Sequence, residues 1–348
     1  MIPMKRQKLS TYKLIGQIIS FSGTKETLVQ QLKDYQNWEA LVYYGSQHLL
    51  LPTIYKRLKD LQILHLLPDD LVAYLEEIHQ INHNRNLLLL QQIKQLHGVL
   101  SEAHVNHLFL KGAAFLIKGA HSNNLERMVG DIDILVDVSQ AQKAFELLKE
   151  NGYDQQIGFN YEVKNYRHLN RQISKAGLAA VELHGDLLKH PKQYLIKAKE
   201  MLETQVLCNH LPIPNNYFMG LHSVLALQIN DLGYYYKTVS LKTLNDTLVL
   251  GIAQQPQLIQ NLQSHKYGRL FLAYAQQFSR DFSVLKLSKW QQFQGLWLSF
   301  KLRLPLYSYL VHRLKSALWF LFNRLYLWLT NSSYRKNLLK NKFKQPHN

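Results

Sequence analysis

Two carboxylates stand one residue apart inside a run of β-branched and apolar residues: Asp131 and Asp133 in "GDIDILVD". No other feature constrains this chain as strongly. Ile132, Ile134, Leu135 and Val136 have the composition of a buried strand, and Gly130 marks its start. Side chains at i and i+2 of a strand share a face. The two acids therefore point the same way. Neighbouring carboxylates repel, and burial adds to the cost of their charge unless a cation lies between them. The segment predicts a strand with one face committed to a cation.

The flanking sequence predicts a small α/β unit. "HVNHLFLKGAA" reads as a strand running into a turn at Gly112, where exposed N–H groups and an absent Cβ would let phosphate approach. Lys111, Arg127 and Gly130 lie beside that turn and the acidic strand. "NNLERMVG" reads as a polar loop. "SQAQKAFELLKENGYD" reads as a helix with a capping box at Ser139 and Gln142 and a stop at Asn151-Gly152, followed by a strand near Tyr153. "YRHLNRQIS" and "GLAAVELHG" predict a hairpin turning near Lys175 to Gly177. In it Glu182 and His184 share a face, with His168 opposite Glu182.

Helical periodicity fills the rest. Residues 10–103 read as helices; Pro68, Asp69 and Asp70 suit the start of the longest, and Leu89, Ile93, Leu96 and Leu100 repeat at helical spacing. "NHLPIPNNYF" reads as a linker, with helices again beyond it. The expected organisation is a helical region (1–103), an α/β core (104–208) and a helical region with a basic aromatic tail (209–348). The expected class is α+β.

Charge and cysteine content narrow the setting. The net charge is +17, and no Asp or Glu follows Asp281, while Lys and Arg run on to Lys344. Such asymmetry points to an anionic partner. The mixture of Trp319, Phe320, Phe322, Tyr326 and Trp328 with cations in the tail suits an anionic membrane surface, against the alternative of a core-packing helix; nucleic acid is the less favoured partner. Cys208, the one cysteine, has no disulfide partner, which suits a reducing cytosol. The basic N-terminus reads as no signal peptide, and no segment has the apolar length of a spanning helix. The expected place is the cytoplasm, with the inner membrane face as a peripheral address.

Together, "LFLKGAAFL", "RMVGDIDILV", "RHL" and "VELHGDL" resemble the uncharacterised bacterial nucleotidyltransferase family of the DNA polymerase β-like superfamily. "WEALVYYGSQHLLLPTIYKRL" is similar to that family's N-terminal helices, and the segments bearing His222 and Asp246 to its downstream helical pair. The resemblance implies a polymerase β-like core, and Mg²⁺-dependent (or Mn²⁺-dependent) transfer of an NMP group from an NTP such as ATP to a hydroxyl acceptor. That acceptor would be a sugar, metabolite or protein side chain, with polysaccharide biosynthesis favoured. It makes Asp131, Asp133 and Glu182 catalytic metal ligands and Gly112 the phosphate-turn glycine; beside them Lys111, Arg127, Gly130, His168 and His184 read as nucleotide-binding, with contact to the acceptor or a plain hydrogen-bonding strand histidine as the alternatives for His168 and His184. The sequence departs from the wider pattern in having Ala113 after Gly112, and Glu at 182. The rival reading is a non-catalytic nucleotide- or partner-binding module. Replacing Asp131 or Asp133 by Asn is expected to abolish turnover and leave the fold intact or firmer.

Other polar residues have plainer readings. Glu76, His79 and His83 lack the additional partners of a zinc site. Asp137 reads as a strand-end residue beside a helix start. Arg85 and Asn86 read as part of a solvated face, against the alternative that they face the active site from the preceding helix. Arg127 is expected on the γ-phosphate or on Asp131.

Overall fold

The computed structural model describes residues 8–121, 125–158, 161 and 167–342. The basic start of the chain, Asn123 and Asn124 of the predicted polar loop, Tyr166 of the predicted hairpin and Lys344 of the tail lie outside them. Four helices come first: α1 (Lys8–Ile19), α2 (Lys25–Asp34), α3 (Trp38–Gln47) and α4 (Leu51–Asp60). The long α5 (Asp69–Glu102) follows, with Pro68 at its N-cap and Asp69 and Asp70 in its first turn, as the sequence predicts. Acids there meet the positive end of the helix dipole.

The α/β unit holds β1 (His107–Leu110), α6 (Lys111–His121), β2 (Ile132–Val136), α7 (Ala141–Glu150), β3 (Gln155–Ile157), β4 (Arg171–Ile173), β5 (Val181–His184), α8 (Ala198–Glu203), β6 (Val206–Cys208) and β7 (Leu211–Ile213). The main sheet has the order β1-β2-β5-β4-β3. Its central pair, β2 and β5, is parallel, and the others are antiparallel. β2 and β5 are buried along their whole length. Central strands covered on both faces read as near-continuous apolar runs, which is why the acids in them stand out. The protein is an α+β fold, a mixed five-stranded sheet set among helices.

Helices close the chain: α9 (Asn216–Leu225), α10 (Gly233–Tyr236), α11 (Leu241–Val249), α12 (Pro256–Ser264), α13 (Lys266–Phe278), α14 (Lys289–Arg303), α15 (Pro305–Thr330) and α16 (Ser332–Lys342). The first helices pack on the last ones: α1 lies against α11, α13 and α14. Ser20 Oγ donates to Asp281 Oδ2 at 2.5 Å, and Phe21 N donates to the same oxygen at 3.1 Å. A continuous apolar core runs from Leu9 to Leu302 through the sheet.

Several local expectations change. Asp137, rather than Ser139, caps the turn before α7: its Oδ1 accepts from the backbone and hydroxyl of Ser139. The capping box does not form, because a 3₁₀ turn at Val138–Gln140 intervenes and Gln142 bonds Glu146 instead. The supposed linker is a hairpin. Asn209 and His210, both with positive φ (50° and 63°), turn β6 into β7, whose Leu211, Pro212 and Ile213 are buried. Consecutive left-handed residues are what a two-residue hairpin turn needs. Pro212 fits because a two-stranded sheet leaves it an outer edge.

Candidate active site

The site lies where β1, β2, β4 and β5 meet. Parallel pairing sets Asp133 directly beside Glu182 and Leu135 beside His184. Asp133, Glu182 and His184 are all buried, and their ligating atoms lie within 4.8 Å of one another. Asp131 stands one residue before β2 and is partly exposed. Arg171 of β4 joins it to the group, donating from Nη2 to Asp131 Oδ2 at 3.0 Å and to Glu182 Oε1 at 2.7 Å.

Each acid has a cationic or hydrogen-bonding partner. Lys111 Nζ is in direct contact with Asp133 Oδ1, and His184 Nε2 donates to the same oxygen at 2.7 Å. Burial pushes Asp133 up, but Lys111 and His184 outweigh it and hold the carboxyl well below its ordinary range. For Glu182 the His184 hydrogen bond is the leading cause; Arg171 adds to it, burial opposes it, and the carboxyl is held down to about 2. Asp131 is pushed up, first by burial and then by Glu182 and Asp133, with Arg171 opposing. His184 bridges the two buried acids, its Nε2 lying 3.6 Å from Glu182 Oε2. An ionised carboxylate only accepts, so the proton sits on Nε2.

His168 pairs in register with His184, not with Glu182; an isolated bridge at that point shifts the predicted pairing by one strand position pair. Its ring still lies 5.0 Å from that of His184, and its Nε2 is 3.9 Å from Glu182 Oε2. Nδ1 donates to Leu169 O at 2.8 Å, and burial is the main reason its pKa falls to about 4. His168 is therefore neutral at pH 7.

The strand-to-helix turn falls one residue earlier than expected. Lys111, with φ 48°, carries the left-handed backbone, while Gly112 already belongs to α6. Such a conformation is uncommon outside glycine and needs a surrounding structure to hold it; here Lys111 is tied to Asp133. Gly112 matters for space instead. A Cβ there would sit 3.2 Å from Val129 Cγ1, in the loop that leads to Asp131. Gly130 is exposed and has room around its Cα.

Arg127 pairs with Asp246 of α11 rather than with Asp131. Nε donates to Oδ1 at 2.6 Å and Nη2 to Oδ2 at 2.8 Å, Asp246 being buried and Arg127 half-buried. It thus fastens the 125–130 loop to the C-terminal helices. α5 grips the same loop from the other side. Asn82 Nδ2 donates to Leu125 O and Glu126 O, Asn86 Nδ2 donates to Leu125 O at 2.8 Å and Arg127 O at 2.9 Å, and Arg85 donates to Val129 O. The solvated face expected for Arg85 and Asn86 is therefore a buried clamp. Two turns on, Gln92 accepts from Leu178 N and Ala179 N, both at 3.0 Å, and donates to Ala179 O, fixing the approach to β5. Elsewhere on α5, Glu76 accepts from Tyr55 OH, a structural use.

A model of the family described as "Uncharacterised nucleotidyltransferase" matches residues 34–263. The chain belongs to this family. The nucleotidyltransferase match takes in the whole site, from α5 to the Arg127–Asp246 pair, as well as most of the helices around it. Comparison with curated proteins returns no match. The nucleotidyltransferase thus has a transferase fold with a buried Asp–Glu–His group that could hold a metal ion. No helix among its described residues is long and apolar enough to cross a membrane.

The residues missed at the sequence level are Asn82, Asn86, Gln92 and Arg171. Asn82 and Asn86 continue the Leu89, Ile93, Leu96, Leu100 stripe backwards at spacings of four and three, a helical pattern that marks them as inward-facing. Nothing in the sequence singles out Arg171.

Proposed function

We propose that the enzyme transfers an NMP group from a nucleoside triphosphate to a hydroxyl-bearing acceptor, with Mg²⁺ or Mn²⁺ held by Asp133 and Glu182 and completed by Asp131. The supporting observation is the parallel register that sets Asp133 beside Glu182. The donor set suits a hard divalent ion: two buried carboxylates held ionised by partners, and a third, partly exposed, within reach of Arg171. When bound, the metal would neutralise the triphosphate and lower the pKa of the attacking hydroxyl.

The protein's own groups have distinct tasks in this reading. Lys111 and Arg171 lie against the carboxylates and, beside a bound metal, would be available to phosphate oxygens. The first N–H groups of α6, beginning at Lys111, form an anion-binding helix end beside Asp133. His184 keeps both acids in position through Nε2–H. Neutral His168 and exposed Gly130 would contact the nucleotide. Arg127, committed to Asp246, positions the loop rather than the phosphate. Glu182 is assigned the acceptor's proton, which rests on the family resemblance. The favoured acceptor is a glycan or a glycan-linked group, which rests on the family resemblance alone.

The test is incubation with each labelled NTP, Mg²⁺ or Mn²⁺ and a fractionated lysate, following label transferred to any acceptor. Transfer by the wild type and none by Asp133→Asn supports the reading. Metal-dependent NTP binding without transfer to any fraction favours the non-catalytic nucleotide-binding alternative.

A further inference from the structure

The match to the family ends at residue 263, and the helices beyond it present an unusual surface. α15 has 26 residues, about 39 Å at the helical rise. Only a few positions, such as Ser308, Val311 and Lys315, are half-buried; large apolar side chains project on every other side, with Leu321 63 % and Phe322 67 % exposed. A helix that is apolar all round is normally covered. α14 adds an outward stripe. Trp290, Phe293, Trp297 and Phe300 stack in succession with ring centroids 5.3, 6.4 and 5.5 Å apart, each substantially exposed.

At the root of α15 lies a cavity of about 640 Å³, walled by α1, α3, α14 and the loop after α10. Lys8, Lys237 and Lys301 line it, beside Tyr12, Tyr44 and Tyr236. No carboxylate is among its lining residues. Lys301 Nζ donates to Lys237 O at 3.3 Å, Lys315 Nζ to Tyr235 O at 3.0 Å, and Lys237 Nζ sits 3.4 Å from the centre of the Tyr234 ring. Burial first, then neighbouring lysines, push Lys237 and Lys301 down to about 8. These cations repel one another with no acid to offset them.

We propose that the cavity and the α14–α15 face form one binding site for an anionic phospholipid in a bilayer, its phosphate among Lys8, Lys237 and Lys301 and its chains against the apolar helices. α15 would lie in the plane of the membrane interface, since no described helix can span it. Charge decides the occupant. A second copy would set Arg313, Lys315 and Arg324 against their own kind, with no Asp or Glu after Asp281 to pair them. An anionic bilayer supplies the missing charge and the apolar depth together. The site stands apart from the acidic group of β2 and β5 and does not depend on its reading.

The experiment is co-sedimentation of the full chain with vesicles of phosphatidylcholine alone or with about one-third phosphatidylglycerol, where each lysine at the surface contributes about fivefold in binding. Binding to the anionic vesicles, weakened by salt, is expected. The Lys237→Gln/Lys301→Gln pair is expected to lose roughly tenfold or more on anionic vesicles while melting no lower than wild type, because it removes mutual repulsion. Leu321→Ser/Phe322→Ser, at exposed positions, is expected to lose at least about tenfold on the same vesicles. Equal binding to neutral vesicles, or wild-type affinity in the lysine pair, overturns the phosphate site. Protection by inorganic phosphate with no vesicle binding makes it a soluble-anion site, and concentration-dependent self-association with no vesicle binding gives the face to a second copy; either result overturns the lipid reading.

Discussion

The acidic centre and the cavity at the root of α15 handle buried charge in opposite ways. Around Asp133 and Glu182 every charge has a counter-charge within hydrogen-bond reach: Lys111, Arg171 and His184 converge on the carboxylates. Around Lys237 and Lys301 the lining brings another lysine, tyrosines and uncharged side chains, but no carboxylate. A closed set of pairs is balanced by its own neighbours. An unbalanced set already lacks its partner. The difference teaches that a buried charge signals function in two forms, one by the quality of its pairing and one by the absence of any.

The largest expected effect tests the paired centre. Asp133→Asn is expected to lower the rate of nucleotidyl transfer by on the order of a hundred- to a thousandfold, the scale of removing a preorganised electrostatic group. It is also expected to lower stability, contrary to a firmer fold. The carboxylate is held ionised by Lys111 and His184, so an amide leaves those partners short of a charge. Thermal melting alongside the transfer assay separates the two effects, and unchanged melting would break the view of the centre as a closed set.

Next is Arg127→Ala. The bidentate pair with Asp246 is buried on the Asp246 side and half-buried on the other, and losing one member of a buried pair costs up to about 3–5 kcal/mol. Denaturant unfolding measures it. Asp246→Asn in the same background is expected to recover part of the loss, since it removes the stranded charge.

Asn86→Ala removes donors from Leu125 O and Arg127 O in a fully buried place and is expected to cost about 1–3 kcal/mol. An effect near zero would mean that the loop holds its shape without α5.

The smallest effect sharpens the other half of the comparison. A group whose folded pKa lies below its unfolded value binds fewer protons when folded, so stability rises with pH between the two. For Lys237 and Lys301 that window opens at about 8, below the ordinary lysine value of 10.5. The charged neighbours are Lys8, Lys266 and Lys315, and burial pushes the facing Tyr12 and Tyr44 hydroxyls up. Melting temperature is therefore expected to gain a component between about pH 8 and pH 10 that the Lys237→Gln/Lys301→Gln pair lacks. A variant that keeps the full rise would show that the lysines are already neutralised.

The sequence made some of this legible and concealed the rest for definite reasons. The acidic strand was readable because carboxylates break a continuous apolar run, and the Glu182 strand because it repeats the same contrast. The long helix and its start followed from Pro68, Asp69 and Asp70. Register was not readable: pairing of His168 with His184 rather than Glu182 depends on how the chain between β4 and β5 is gathered in by Gln92. The turn and second strand of the β6–β7 hairpin read as a linker because prolines and turn formers at 209–218 look alike in both. Arg127 was expected at phosphate because a lone arginine near acids does not disclose that its partner lies 119 residues away.

α5 makes one last point. A single continuous helix touches the loop leading to Asp131 through Asn82 and Asn86, and the approach to Glu182 through Gln92. It works as a ruler for the gap between two carboxylate-bearing strands. One alanine inserted between Asn86 and Gln92 would rotate one grip against the other by roughly 100°, and the acids would lose their common gauge although neither had been touched.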